Sequence, residues 1–167
     1  MFARENKIAG WSLAIAISAL FIGGSMGPLQ KLEHVGIDLY RPLRDIGLNS
    51  YYQGLTIHGV LNALVWTTFF IVGFFTYIFV RSLNRNLTHP QVNTAANVIM
   101  ILGLVTAAVP ILLNLATVLF TFYPPLMASP WFYVGLTLVV VGSWVHGWGY
   151  YLPFSQCRRE YPVLTTP

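Results

Sequence analysis

Charged residues are missing from three long stretches of this chain, between Lys7 and Lys31, between Asp45 and Arg81, and between Arg85 and Arg158. Each stretch holds at least one apolar run longer than the roughly 20 residues a membrane-spanning helix needs, and the last is long enough for two. Soluble domains carry roughly a quarter charged residues. Here 8% are charged and 56% hydrophobic, so a lipid bilayer is the solvent to assume. The predicted fold class is an all-α membrane protein with spans near 8–26, 52–80, 94–122 and 131–151, forming a single membrane domain over residues 1–167. Helix is expected over strand because the runs lack the alternating polar pattern of a membrane barrel, and a backbone in hydrocarbon must satisfy its own hydrogen bonds. Gly27-Pro28, His89-Pro90 and Tyr123-Pro124-Pro125 read as breakers between spans. The last of these makes spans three and four an antiparallel hairpin.

The first span is longer than a usual signal-peptide core, and Gly23-Gly24-Ser25 is a poor cleavage match, so a retained helix is expected. Cys157 is the single cysteine, which excludes an internal disulfide. Arg4, Lys7, Arg81, Arg85, Arg158 and Arg159 fall on one side of the membrane, against Lys31, Arg41 and Arg44 on the other, so both termini are expected to be cytoplasmic. Glu33, Asp38 and Asp45 bring the opposite loop near neutrality, and no basic surface for nucleic acid results. Trp11, Trp131, Trp148, Tyr150 and Tyr151 read as an interfacial aromatic belt.

No Asp, Glu, Lys or Arg lies within the expected spans, which removes the usual marks of a carboxylate proton relay, a charged-substrate site or a voltage sensor. Two histidines remain there, and a histidine in hydrocarbon is costly unless its nitrogens have partners. His58 lies about 10 Å of helix rise into the second span. Gly54, four residues earlier on the same face, and the adjacent Gly59 leave room for a flat macrocycle, and imidazole is a common haem ligand. A helix-packing histidine bonded to a neighbouring carbonyl is an equal alternative. His146 lies roughly 22 Å deep by the same count, too far from His58 for one iron, whose two axial nitrogens sit only about 4 Å apart. It reads as an interfacial ring. His34 and His89 read as solvated residues in connections, and no HExxH, CxxC or Gly-rich phosphate loop occurs.

The string Tyr51-Tyr52-Gln53-Gly54-Leu55-Thr56-Ile57-His58-Gly59-Val60-Leu61-Asn62-Ala63 closely resembles the second helix of subunit I in B-family haem-copper oxygen reductases. Gly24-Ser25-Met26-Gly27-Pro28-Leu29-Gln30 and Thr121-Phe122-Tyr123-Pro124-Pro125-Leu126 extend the resemblance over nearly the whole chain, and over about the first third of the family's subunit. It implies that the four helices open the subunit I bundle. It also implies that His58 is one axial ligand of low-spin haem b, in a terminal oxidase that passes electrons to oxygen and translocates protons across a prokaryotic cell membrane. The implied partners are a companion chain with the remaining helices, oxidase subunit II, and cytochrome c or a small copper protein as donor. Copper, the second haem and the oxygen-reducing site belong to later helices, so no catalytic residue is expected here. The chain then represents a split subunit or a truncated product. The alternatives are a stand-alone membrane haem-b carrier, a degenerate structural subunit, and membership of a related nitric oxide reductase.

Overall fold

A computed structural model describes residues 2–117 and 127–160. Its elements in chain order are α1 (Ala3–His34), a short α2 (Tyr40–Leu43) followed by a 3₁₀ turn (Arg44–Ile46), α3 (Tyr51–Gly59), a π-helical segment (Val60–Trp66), α4 (Thr67–Ser82), α5 (Pro90–Leu112) and α6 (Pro130–Glu160). The α3, π and α4 segments run together as one helix, so four helices are long and apolar enough to cross a membrane. This is the all-α architecture expected from the charge gaps.

Four connections end in one backbone device. After α1, Gly36 has φ 90° and donates to the Glu33 carbonyl, while Ile37 N–H reaches back to Leu32. Gly47, Asn84 and Asn114 repeat the pattern, with φ of 88°, 50° and 55°. The paired back-bonds satisfy carbonyls that a helix end leaves open, and the left-handed residue suits glycine or asparagine. Asn114 explains a departure from expectation. The third span was expected to reach Phe122, but α5 stops at Leu112, because Asn114 N–H turns back to Ile111 and Leu115 N–H to Pro110. Apolar sequence continues past this stop, so hydropathy alone cannot see it. The expected Thr121–Leu126 turn lies outside the described residues.

Pro28 departs in the opposite direction. It does not end the first span, because α1 continues past it to His34. One proline removes one N–H and can be carried within a helix whose neighbours pack around the bend. The helix also starts earlier than expected, so Glu5 lies in its first turn, 3% exposed, where its carboxylate accepts Leu87 N–H at 3.0 Å. Glu5, like Glu33 at the other end of α1 and Glu160 at the end of α6, lies outside the expected spans. Tyr150 leaves the aromatic belt as well. It is buried against Val80 and Leu87, whereas Trp11, Trp131, Trp148 and Tyr151 are exposed.

The closest pair is α5 with α6. Gly135, Gly142 and Gly149 recur every seven residues, which puts them on one face of α6. A Cβ on Gly135 would lie 2.4 Å from the Ala107 nitrogen, and one on Gly142 would lie 2.5 Å from Met100 Cγ. In a bilayer, where lipid is as apolar as leucine, such close backbone approach is a main source of helix association. Gly73 does the same for α4 on α1, its missing Cβ falling 3.0 Å from the Ala9 carbonyl. Gly135→Leu should therefore lower stability in detergent by about 1–3 kcal/mol, measured by thermal or denaturant unfolding. Gly10→Leu, where a Cβ meets nothing within 4 Å, should leave it unchanged.

Candidate functional site

His58 occupies the last turn of α3 and is half-buried. Its Nδ1 lies 2.7 Å from the Gly23 carbonyl of α1. A carbonyl only accepts, so Nδ1 carries the ring proton, and in the neutral imidazole Nε2 then keeps its lone pair. No hydrogen-bond partner for Nε2 occurs among the described residues. The wall facing the ring is made of small residues: a Cβ on Gly27 would stand 3.3 Å from His58 Cε1, and one on Gly23 would meet Asn62 at 2.9 Å. Asn62, one turn on, donates from Nδ2 to the His58 carbonyl at 2.9 Å, and the same nitrogen lies 3.2 Å from Nδ1. Immediately after His58-Gly59 the helix widens into its π-helical segment, a distortion often found at functional positions.

Gly54 lies on the same helix face, one turn away, but its empty side-chain space is filled from within the chain. A Cβ there would fall on the Tyr40 hydroxyl and 2.5 Å from the Gln30 amide. With the Gln30 amide oriented so that each atom meets a complementary partner, its oxygen accepts from Tyr40 and from Leu55 N–H (3.2 Å), and its nitrogen donates to the Tyr51 carbonyl (3.2 Å). Gly54 thus admits a lid of Tyr40 and Gln30 over the start of α3. Gly59 is buried where the α-helical turn gives way to the π segment. Burial lifts the Tyr40 hydroxyl above its ordinary 10.0; Glu33 and Tyr51 push the same way, while the Gln30 bond opposes. Beside this lid, fully buried Gln53 donates to the carbonyls of Gly47 and Ile111, each at 2.9 Å, and so closes the end of α5 onto α3.

His146 is not the interfacial ring expected from its position. Helix α6 runs on to Glu160, which leaves His146 fully enclosed in mid-helix. Both ring nitrogens are used. Asn97 Nδ2 donates to the Ile8 carbonyl (3.2 Å), which turns Asn97 Oδ1 toward the Ser12 hydroxyl (3.0 Å) and His146 Nε2 (3.0 Å). An oxygen there requires a proton on Nε2, so Nδ1 is the acceptor and takes Asn93 Nδ2 at 3.1 Å. The Tyr150 hydroxyl joins from the next turn, 2.6 Å from Thr76 Oγ1 of α4. The cluster therefore ties all four long helices together. The hydrogen-bond partners of His58 and His146 do not overlap. Sequence reading passed over Asn62, Asn93, Asn97, Ser12 and Thr76. The signal available was spacing: His58 and Asn62, Asn93 and Asn97, and His146 and Tyr150 are each four residues apart, one above the other on a helix. Among the described residues, no three His, Cys, Asp or Glu side chains converge on a metal position.

Residues 7–166 match the family model for cytochrome c and quinol oxidase polypeptide I. The chain belongs to that family. Cytochrome c oxidase subunit 1 of Thermus thermophilus is 40% identical over 143 residues, which is 84% of this chain and 25% of that protein. A chain in a cryo-EM structure of a heme-copper terminal oxidase dimer superposes with a TM-score of 0.84 at 36% identity, covering 95% of this chain and 27% of that one. The chain thus spans about a quarter of the length of these two relatives, and its four helices share the fold of the matching part of the oxidase-dimer chain.

Two outcomes follow from the geometry. Asn97→Leu strips Ser12, His146 Nε2 and the Ile8 carbonyl of a shared partner and should cost about 1–3 kcal/mol or more, read from unfolding of the protein in detergent. For Tyr40, a folded-state value raised above 10 means that its contribution is complete below about pH 10 and is lost as pH rises through the folded value. A tyrosinate absorbance titration of wild type against Tyr40→Phe should show the lid intact across the neutral range.

Proposed function

We propose that this chain supplies His58 Nε2 as one axial ligand of the low-spin haem b of a terminal oxidase. The observation that carries the reading is the Nδ1–Gly23 hydrogen bond, which fixes the tautomer and leaves Nε2 as an unprotonated donor without a partner among the described residues. Metal-bound histidines ordinarily hold their other ring nitrogen in this way. When bound, the haem supplies a one-electron redox centre. The chain's own residues orient the imidazole, keep its Nδ1 proton on a backbone carbonyl, and close the loop-side end of the helix with the Tyr40–Gln30 lid. Gly54 serves by admitting that lid, and Gly59 is buried next to the ligand.

The resemblance around Tyr51–Ala63 favours the B-family of oxygen reductases, with electrons passing on to oxygen and protons moving across a prokaryotic cell membrane. The second axial ligand, the copper and the second haem would be held by helices other than these four, with oxidase subunit II and a cytochrome c or small copper protein as further partners. Both termini face the cytoplasm in this reading, by the excess of Lys and Arg on that side. A stand-alone bis-histidine carrier is disfavoured, because both nitrogens of His146 are already bonded within the bundle. A structural subunit without haem remains the rival.

A reduced-minus-oxidised spectrum of the complex purified through this chain decides between them. A sharp low-spin b-type band is expected in wild type and should disappear in His58→Ala. A wild-type spectrum in the variant would refute ligation by His58.

A further inference from the structure

We propose that Gly23 is a positioning residue that sets how strongly His58 Nε2 donates to a metal, by fixing the length of the hydrogen bond between the Gly23 carbonyl and His58 Nδ1. This rests on the reading of His58 as a haem ligand and adds what governs the electron affinity of the iron so ligated.

Three observations carry it. First, the acceptor of the ring proton is a backbone carbonyl, 2.7 Å from Nδ1. A carbonyl has two lone pairs, so it can serve the helix ladder and the histidine together. No substitution at position 23 removes this acceptor; a substitution can only move it. Second, the missing side chain sets the distance. A Cβ on Gly23 would stand 2.9 Å from Leu61 Cβ and 2.9 Å from Asn62 Nδ2. The Asn62 amide is the far end of a side chain and can turn aside. Leu61 Cβ cannot, because it is one bond from the backbone of a residue packed against the apolar core. Any larger residue at 23 therefore pushes α1 away from the helix that carries His58, and the bond lengthens with it. Third, the approach continues one turn on. A Cβ on Gly27 would stand 3.3 Å from His58 Cε1 and 3.7 Å from Nδ1, whereas one on Gly24 would meet nothing within 4 Å.

The chemistry gives the effect a sign. An Nδ1–H that donates to a good acceptor leaves the imidazole more basic, which makes Nε2 a stronger electron donor and favours the oxidised state of a metal bound there. The short bond to Gly23 thus holds the potential down, and lengthening it raises the potential. Water admitted beside the ring acts in the opposite direction, because a polar medium stabilises the more highly charged oxidised state. A rise therefore separates a weakened hydrogen bond from a loosened structure.

The test is a redox titration of the b-type band in the complex purified through this chain, as wild type, His58→Ala, Gly23→Ala, Gly27→Ala and Gly24→Ala, with haem content measured on each sample. The band should be lost in His58→Ala and keep its wild-type midpoint in Gly24→Ala. In Gly23→Ala the ratio of reduced to oxidised band at a fixed ambient potential should rise about 3-fold, within the worth of one hydrogen bond; that is roughly 30 mV for a one-electron couple. Gly27→Ala, whose contact is looser, should give a smaller rise. An unchanged or lowered midpoint in Gly23→Ala at wild-type haem content refutes tuning by Gly23 and leaves ligation standing. Should Gly23→Ala lose the band, Gly27→Ala is read against Gly24→Ala in its place, where a rise supports tuning through α1 and no rise refutes it. Loss of the band in both also refutes it, since α1 then does no more than make room for the ligand. If His58→Ala keeps the wild-type band, ligation falls and the role of Gly23 with it.

Discussion

Everything in this bundle depends on a handful of polar side chains that have no water to fall back on. Asn97 is the hinge of the largest set. Its amide nitrogen is committed to a backbone carbonyl of α1, which forces its oxygen toward Ser12 and His146, and that in turn decides which nitrogen of His146 carries the proton. One backbone acceptor therefore propagates a defined donor and acceptor order through α1, α5 and α6, while Tyr150 carries the link to α4 through Thr76. In a medium where an unpaired amide is expensive, such a set selects one helix arrangement among many of similar apolar packing. Glycines at 135 and 142 then let the backbones close to the distance at which those bonds can form.

The two membrane histidines show how differently one residue type can be used. His146 has both nitrogens bonded inside the chain, so its chemistry is spent on holding helices together. His58 has one nitrogen bonded and one open, and its wall is lined with glycine. Hydropathy ranks the two alike. What separates them is the partner across the interface: carboxamides of α5 for His146, a backbone carbonyl of α1 for His58.

The spans were legible in the sequence because they rest on a local signal, an absence of charge. The end of α5 was not, since it is set by the left-handed backbone at Asn114 inside a run that stays apolar. Pro28 misled in the other direction: a helix in a packed bundle tolerates the loss of one N–H, so proline does not mark a terminus there. Tyr150 and His146 looked interfacial because depth was counted from an assumed helix end, and α6 runs on to Glu160. Gly54 was read as room for a flat ligand, whereas Tyr40 and Gln30, distant in sequence, reach into that room. Cross-helix partners of this kind leave only faint traces in one sequence, as in the four-residue spacing of paired polar groups.

The widened turn at Val60–Trp66 has a further consequence for how this span can vary among descendants. A π turn accommodates about one more residue than an α turn, and each residue rotates an α-helix by roughly 100°. Deleting a single residue there would straighten the span without breaking it. The straightened helix would still cross the membrane, and its hydropathy would look unchanged. Since the wide turn and the ordinary turn each complete one revolution, the face bearing His58 and the face by which α4 grips α1 would stay aligned. The segment is in effect a place where this span can gain or lose one residue without changing which sides face inward.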